Sequence, residues 1–592
     1  MKNVFSDRRE YVVAAGLWVA FFILYLKTLA PTVGFIDAGE LATVATTLGI
    51  AHPTGYPLFT LLGRLFAMIP IASREIVRLN IMAALFTSMA AVVFFFSMLE
   101  LLGSTTNRTS RIVAAGFSSA ALACSRTFWS EGLSIEVYSL HVLLICMTIL
   151  FFLKAINTDN SQWWFLFAYT LGLSFTNHLT TILLAPAFVF LFFYEHRFTR
   201  IAFDRIRILI VPFLVGLSAY LYLPIRASSN PLLNWGNPST FEKLWWHFSG
   251  KQFRVWMFES TDAAQKQFHY FMNNTPVEFY YIPIIVAAAG MLILLFSDRK
   301  KFFFIVLLLI SCVGYSINYD IHDIDSYFLL AFISLMMFAG VAVQKVVASM
   351  SRYTVIGSIC ILSLIVIVEA AQNIDSVDQH ANYMVEDYTR NILANLPKNS
   401  LIISYEWDFF VSASLYFQHV EHVRPDIVVI DKELLRRSWY FDQLHTMYPE
   451  VIQRSKKEVQ GFLKELDKFE HGLPYEYAAI EGRYNSLIKS FITNNQDRQC
   501  FVTPEIEQNY TAGYNRVPYG FCYLLTTSAR YVVTPFPSIV HRFSPNHDVY
   551  SSQIRKFSNA VLTKRAAYER YFGRDSLADL YDNAVNRYFQ SF

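Results

Sequence analysis

The chain has 592 residues, of which 54% are hydrophobic and only 16% charged, with 53 Phe and a formal net charge of +3. An ordinary soluble protein carries about 25% charged residues, so this composition excludes a simple water-soluble enzyme. A charge of +3 over this length makes no basic field for a phosphate backbone, which excludes a nucleic-acid partner, and the hydrophobic content excludes disorder. Residues 1–372 hold 25 Lys+Arg and 20 Asp+Glu, and the much shorter remainder holds 24 and 26. The chain therefore divides into a membrane part, 1–372, and a water-facing part, 373–592.

In chain order, Lys2, Arg8 and Arg9 precede an apolar run from Tyr11 to Leu26, and no small-x-small cleavage pattern follows before Pro31. This predicts an uncleaved first membrane helix. Further apolar runs fall near residues 79–101, 112–128, 137–155, 162–176, 179–194, 208–224, 279–297, 302–318, 327–344 and 353–372, so about eleven transmembrane helices are expected. Alternate connections are short and basic: Arg108 and Arg111, Lys154, the cluster Arg197 to Arg207, Arg299 to Lys301, and Lys345 with Arg352. The positive-inside rule places them in the cytoplasm with the N-terminus and leaves residues 373–592 outside. The pair of runs around Asn177 and His178 is kept as two spans, because merging them would invert that bias.

The long connections, 30–78 and roughly 226–278, then face outward with the shorter 318–326, and most acidic residues of the membrane part gather with them. Connections of that length are seldom mere links. The first contains Asp37-Ala38-Gly39-Glu40 before a helical run, then His52-Pro53-Thr54-Gly55-Tyr56-Pro57 and Gly63-Arg64. Asp37 and Glu40 have the spacing of a helix cap and its capping box. Equally, a carboxylate beside apolar helices sits in low dielectric, which raises its basicity toward a hydroxyl. His52 reads as a turn hydrogen bonder or a substrate contact. Trp129 reads as an interfacial aromatic, and Glu136, with Tyr138 beside it, opens an apolar run where a carboxylate is costly unless used. Asn177 and His178 form a polar cluster between two spans. Arg226 ends Tyr222-Leu223-Pro224-Ile225-Arg226, placed either to snorkel or to hold a lipid-linked phosphate, and Asn234-Trp235-Gly236 follows. Asp320, Asp323 and Asp325 are weak candidates for a metal site, since an oxygen-ligand cation needs about six ligands.

In the water-facing part, Leu401–Ser404 and Ile427–Ile430 read as strands flanking a helix over Phe409–His419, and residues 440–466 and 549–590 read as helical. This predicts a mixed α/β domain. Cys500 and Cys522 are the one pair placed to form a disulfide, given an oxidising compartment. No P-loop, GxSxG or HExxH is present.

The run from Asp37 to Glu40 through Gly49-Ile50-Ala51-His52-Pro53-Thr54-Gly55-Tyr56-Pro57-Leu58 and Gly63-Arg64 resembles the signature of a broad family of polytopic membrane proteins. The similarity continues at Phe128-Trp129-Ser130, Glu136-Val137-Tyr138, Asn177-His178, Tyr222 to Arg226, Asn234-Trp235-Gly236, Asn318-Tyr319-Asp320 and Asp323-Ile324-Asp325. The family comprises bacterial proteins formerly without an assigned function and animal endoplasmic-reticulum protein O-mannosyltransferases of the glycosyltransferase C superfamily. Ala38 and Thr54 depart from its usual pattern, and the likeness thins after about residue 435. The resemblance implies a glycosyltransferase C-like helical membrane domain with a C-terminal extracytoplasmic α/β domain. It implies transfer of a sugar from a polyprenyl-phosphate carrier to a hydroxyl of an extracytoplasmic protein, by inverting displacement. Asp37, with Glu40 next, would be catalytic; Arg226, Arg64 and His52 would bind the donor phosphate. Glu136, Tyr138, Asn177, His178, Asn234, Trp235, Asp323 and Asp325 would line the substrate site. No cofactor is required for a monosaccharide-phosphate donor; a divalent cation enters if the donor is a diphosphate. The alternatives are an oligosaccharyltransferase, a transferase to a lipid or glycan, and, less favoured because no internal repeat is apparent, a transporter. The expected setting is a bacterial inner membrane, with the C-terminal domain periplasmic.

Overall fold

The computed structural model describes residues 8–103, 107–542 and 549–588; Lys2 and residues 589–590 of the last predicted helix lie outside them. The chain forms two compact units. One comprises Met1–Ala30, Pro53–Ile225 and Thr240–His380; the other joins Pro31–His52 and Arg226–Ser239 to Ala381–Phe592. The membrane-proximal stretch 31–52 and the segment 226–239 thus group with the C-terminal domain, which sequence position alone does not reveal.

The first unit is helical. Among the described residues seven helices are long and apolar enough to cross a membrane, and a bent pair, Thr261–Glu278 with Ile282–Ser297, makes an eighth if it counts as one span. Eleven such runs were expected. The difference lies in helices that form where predicted but are short or polar. Arg108–Cys124 has 17 residues and is Ser-rich, Ser161–Phe175 has 15, and Arg299–Ser316 opens with three basic residues. The break at Asn177 and His178 is real: Ser161–Phe175 ends there, and a 3-10 turn Leu179–Leu184 leads into Ala185–His196.

Without a hydrophobic force between helices in lipid, close backbone approach must supply the packing. Gly172 and Gly216 meet across Ser161–Phe175 and Arg200–Leu217, where a Cβ on either would come within 2.2 Å of a carbonyl oxygen of the other helix. Ile324–Ala348 and Val137–Thr158 are the buried centre, with 83% and 78% of their apolar windows inside the protein, whereas Tyr353–Val377 is 6% buried. An apolar groove of about 410 Å³ runs between Ser161–Phe175, Ala185–His196 and Arg200–Leu217, lined by Trp164, Phe167, Phe188, Phe192 and Phe213.

The second unit holds a five-stranded mixed sheet, β1 Leu401–Ser404, β2 Val428–Asp431, β3 Cys500–Val502, β4 Asn515–Tyr519 and β5 Cys522–Thr526, in the order β2-β1-β3-β5-β4. β1 pairs in parallel with both β2 and β3, and β5 runs antiparallel to β3 and β4. Strands β1 to β3 are buried at every position, as strands of a parallel sheet covered on both faces should be. The second predicted strand is found one residue later than expected. The helical stretch 440–466 is three helices, Ser438–Met447, Pro449–Arg454 and Lys456–Glu470, interrupted by Tyr448-Pro449 and Ser455. Gly573 (φ +69°) separates Val549–Tyr571 from Asp575–Tyr588.

Cys500 and Cys522, the one candidate pair, are both buried free thiols. The register explains it: Phe501 lies opposite Leu524 and Val502 opposite Tyr523. Cys522 therefore sits about three positions, roughly 10 Å, beyond the partner Cys500 would need.

Candidate active site

The helix Ala38–Thr47 begins at Asp37, but the Asp37 side chain makes no capping hydrogen bond. The cap comes from far along the chain: the Glu40 backbone N–H donates to Ser412 Oγ at 3.0 Å. An orphan donor of the first helical turn is thereby satisfied and the Asp37 carboxylate is released from that task. The capping-box reading fails for Glu40 as well, whose carboxylate turns to His52. One Glu40 oxygen accepts the His52 backbone N–H at 2.8 Å and the other lies 2.7 Å from His52 Nδ1.

Close contact makes the external cap possible. A Cβ on Gly39 would fall 2.3 Å from the Ser412 carbonyl oxygen, so only glycine lets Ala38–Thr47 lie against Ser412–His419. Gly39→Ala is expected to push the two helices apart at a cost of roughly 1–3 kcal/mol, read as a lowered unfolding midpoint together with lost activity. Just upstream, Ile36 is held at φ +59°, unusual for a β-branched residue. Its N–H donates to the Asp408 carbonyl at 2.7 Å. Strained backbone of this kind concentrates at functional sites.

The result is a tight group. His52 Nε2 lies 3.7 Å from Asp37 Oδ2, the Glu40 side chain is 1% exposed, and Asp37 keeps 24% exposure. The other Asp37 oxygen, Oδ1, accepts a 2.7 Å hydrogen bond from the Trp407 indole N–H. No Lys or Arg pairs with Asp37 among the described residues. Burial, first of all, raises its pKa; the Glu40 charge adds to this, while His52 and the indole N–H oppose it. Asp37, Glu40 and His52 are the one set of three His, Cys, Asp or Glu among the described residues whose ligand atoms all lie within 4.8 Å.

Around them, Trp235 packs edge-on to Trp407 (centroids 5.3 Å, 86°), against Trp439 (4.8 Å) and near His52 (5.9 Å). Asn234 is tied in by its backbone, which bridges Ile50 and donates to Gln443 Oε1 at 3.2 Å. Arg226 has a structural task. Its Nε and one Nη donate to the Leu48 and Thr47 carbonyls at 2.5 and 3.4 Å, closing the C-terminal end of Ala38–Thr47.

The remaining sequence candidates belong to the first unit. Glu136 caps Val137–Thr158, its carboxylate accepting from the Val137 N–H at 3.3 Å. Asn177 is fully buried and donates to the Val137 carbonyl at 3.0 Å. His178 bonds Thr180 Oγ1 at 2.7 Å, and that hydroxyl meets His141 Nε2 at 2.8 Å. Its ring lies between Tyr138 (5.2 Å) and Tyr56 (6.1 Å, nearly parallel). Arg64, in Pro57–Met68, is half-buried.

Asp323 and Asp325 line a polar cavity of about 330 Å³ with Glu131, Glu278, Tyr270 and Arg126. Tyr270 donates to Asp325 at 2.9 Å, and Ser326 to Glu131 at 2.5 Å. Burial pushes Glu131 up to about 8, with Asp325 and Asp323 adding to the effect. Asp320 instead pairs with Lys266 at 3.0 Å, so the acidic run does not converge on one ion. Glu278, which holds Thr127 through its N–H (2.7 Å) and hydroxyl (3.0 Å), was not singled out from the sequence. A carboxylate flanked by apolar spans was the signal that would have found it.

Residues 37–201 match the family described as Protein O-mannosyl-transferase TMEM260 N-terminal domain, and residues 385–452 match TMEM260-associated domain 2. The mouse Protein O-mannosyl-transferase TMEM260 is 26% identical over 549 residues, covering 87% of this chain and 74% of the relative. The Dictyostelium discoideum protein of the same name is 25% identical over 480 residues, covering 72% and 57%. Among solved structures, ArnT from Cupriavidus metallidurans, bound to undecaprenyl phosphate, superimposes with a TM-score of 0.55 at 12% identity, covering 88% of this chain and 99% of that one. The chain is an integral membrane glycosyltransferase of the GT-C fold, similar to the TMEM260 protein O-mannosyl-transferases.

Proposed function

We propose that the protein transfers a sugar from a polyprenyl-phosphate carrier to Ser or Thr hydroxyls of extracytoplasmic proteins, with Asp37 as general base. The observation that carries this is the state of Asp37: a carboxylate that neither caps its helix nor pairs with a Lys or Arg among the described residues, with basicity raised by burial. A Ser or Thr hydroxyl attacks poorly unless its proton is removed as the new bond forms. In the step envisaged, Asp37 takes the hydroxyl proton and the oxygen bonds to the anomeric carbon. The bond from that carbon to phosphate breaks on the opposite face, and the carrier phosphate leaves with the electron pair. The product is therefore inverted.

The names of the mouse and Dictyostelium relatives support a protein acceptor. A protein of the same fold binds undecaprenyl phosphate, and the apolar groove by Phe167, Phe188 and Phe213 has the chemistry to take an isoprenoid tail. The N-terminus is proposed to be cytoplasmic and residues 373–592 extracytoplasmic, in a periplasm if the membrane is a bacterial inner membrane. The alternating basic connections support this orientation.

The second reading is an oligosaccharide transferred from a diphosphate carrier, and the convergence of Asp37, Glu40 and His52 is what favours it, since these ligand types suit a divalent cation. One experiment separates the two. Purified full-length protein is given polyprenyl-phosphate sugar and Ser/Thr peptides, with and without chelator. Transfer with inversion that survives the chelator is expected. Complete loss restored by added divalent ion would support the second reading, and no transfer from the monophosphate donor would overturn the first.

A further inference from the structure

We propose that Trp407, from the turn that follows β1 in the C-terminal domain, is a positioning residue for Asp37, so that this domain completes the catalytic group. The inference rests on the reading of Asp37 as base.

Trp407 opens a π-helical turn, Trp407–Val411, that runs into Ser412–His419. Three adjacent points of this segment grip the first loop. The indole N–H holds Asp37 Oδ1 at 2.7 Å, the Asp408 carbonyl accepts the Ile36 N–H at 2.7 Å, and Ser412 Oγ accepts the Glu40 N–H at 3.0 Å. The indole cannot swing freely, because Trp235 packs at right angles to it, itself braced on Trp439. An indole is a donor with no proton to lose near neutral pH, so it fixes the carboxylate without competing for the acceptor's proton. With Oδ1 held, Oδ2 is the oxygen left for the acceptor, and it faces His52, whose ring is set by Glu40. A base held within a few tenths of an ångström is what proton abstraction in a single step requires.

The titratable groups acting on Asp37 are His52, which favours its anion, and Glu40, which disfavours it; the indole N–H also favours the anion. Removing that N–H therefore moves the acid limb of the pH profile upward. The test is Trp407→Phe in the full-length protein, reconstituted in lipid, with kcat and KM measured across pH. Losing a hydrogen bond to a charged group is expected to lower kcat about 10- to 100-fold, with donor KM little changed and the acid limb at higher pH. In an Asp37→Asn background, Trp407→Phe is expected to cost nothing further.

Asp37→Asn with full activity would sink the base reading itself. An inactive Asp37→Asn alongside a Trp407→Phe with wild-type kcat and an unmoved acid limb would overturn this inference alone. Should Trp407→Phe lower the melting temperature, Trp407→His, whose ring keeps an N–H, must recover most of kcat. Failure of that recovery also overturns it.

Discussion

Asp37→Asn is expected to lower the turnover of sugar transfer by roughly 10²- to 10⁴-fold, the range general base catalysis supplies. Binding of the lipid donor should be nearly unchanged, since the amide keeps the shape and the acceptor oxygen for Trp407. The same substitution separates the two readings of the first loop. Asn is as good a helix cap as Asp, and removing a true cap costs about 1 kcal/mol. Because Asp37 does not cap, Asp37→Ala should cost stability only through the hydrogen bond that the Trp407 indole loses, about 1–3 kcal/mol, while activity is lost. The pH dependence has a definite sign. With Asp37 as the proposed base the anion is the form that acts, and burial raises its pKa, so in the wild type activity should fall with acid above the ordinary Asp value of about 3.9. Burial also opposes ionisation in the folded state, so a neutral Asn should melt no lower than the parent. A rate and pH series beside a thermal unfolding series on the same two proteins checks all of this.

Arg565→Met should be among the most destabilising single changes in the C-terminal domain, by about 3–5 kcal/mol. Arg565 and Glu569, one turn apart on Val549–Tyr571, are 1% and 0% exposed and paired at 2.5 Å. The guanidinium also donates to the Pro518 carbonyl at 2.9 Å and the Val532 carbonyl at 3.1 Å, joining β4 to the segment after the sheet. Removing the cation strands a buried carboxylate that retains, among the described residues, only the Tyr531 hydroxyl, at 2.9 Å. Pairing the change with Glu569→Gln should recover part of the loss, since the uncompensated charge is the larger penalty. Denaturant unfolding of the single and double variants gives the comparison, and a double variant no more stable than the single would contradict it.

The local features of this protein were legible in its residues. Alternating apolar runs marked most of the helices, and Leu401–Ser404 was a strand where its β-rich run put it. Asp37, Glu40 and His52 stood out by chemistry and spacing, and the fold brings them within one small volume. What the sequence did not carry was long-range partnership. Asp37 meets an indole 370 positions away and Glu40 a hydroxyl 372 away, and no periodicity encodes such a pairing. The capping-box pattern was true to local geometry but was overridden by Ser412, because Gly39 admits a second helix. The span count differs for another reason: Ser161–Phe175 and Arg108–Cys124 are helical as expected, yet with 15 and 17 residues they are shorter than the helices long enough to cross a membrane unaided.

The Ser412 cap also sets a clock on biosynthesis. The ribosome makes the first loop 372 residues before the hydroxyl that shapes it, an interval of about 20 to 75 s at 5–20 residues per second. Throughout that time the nascent protein can occupy the bilayer with its first loop unfinished and its carboxylate unaimed. A chain stopped after its last apolar helix is therefore expected to insert and persist yet transfer no sugar, which an assay of such a truncated chain checks.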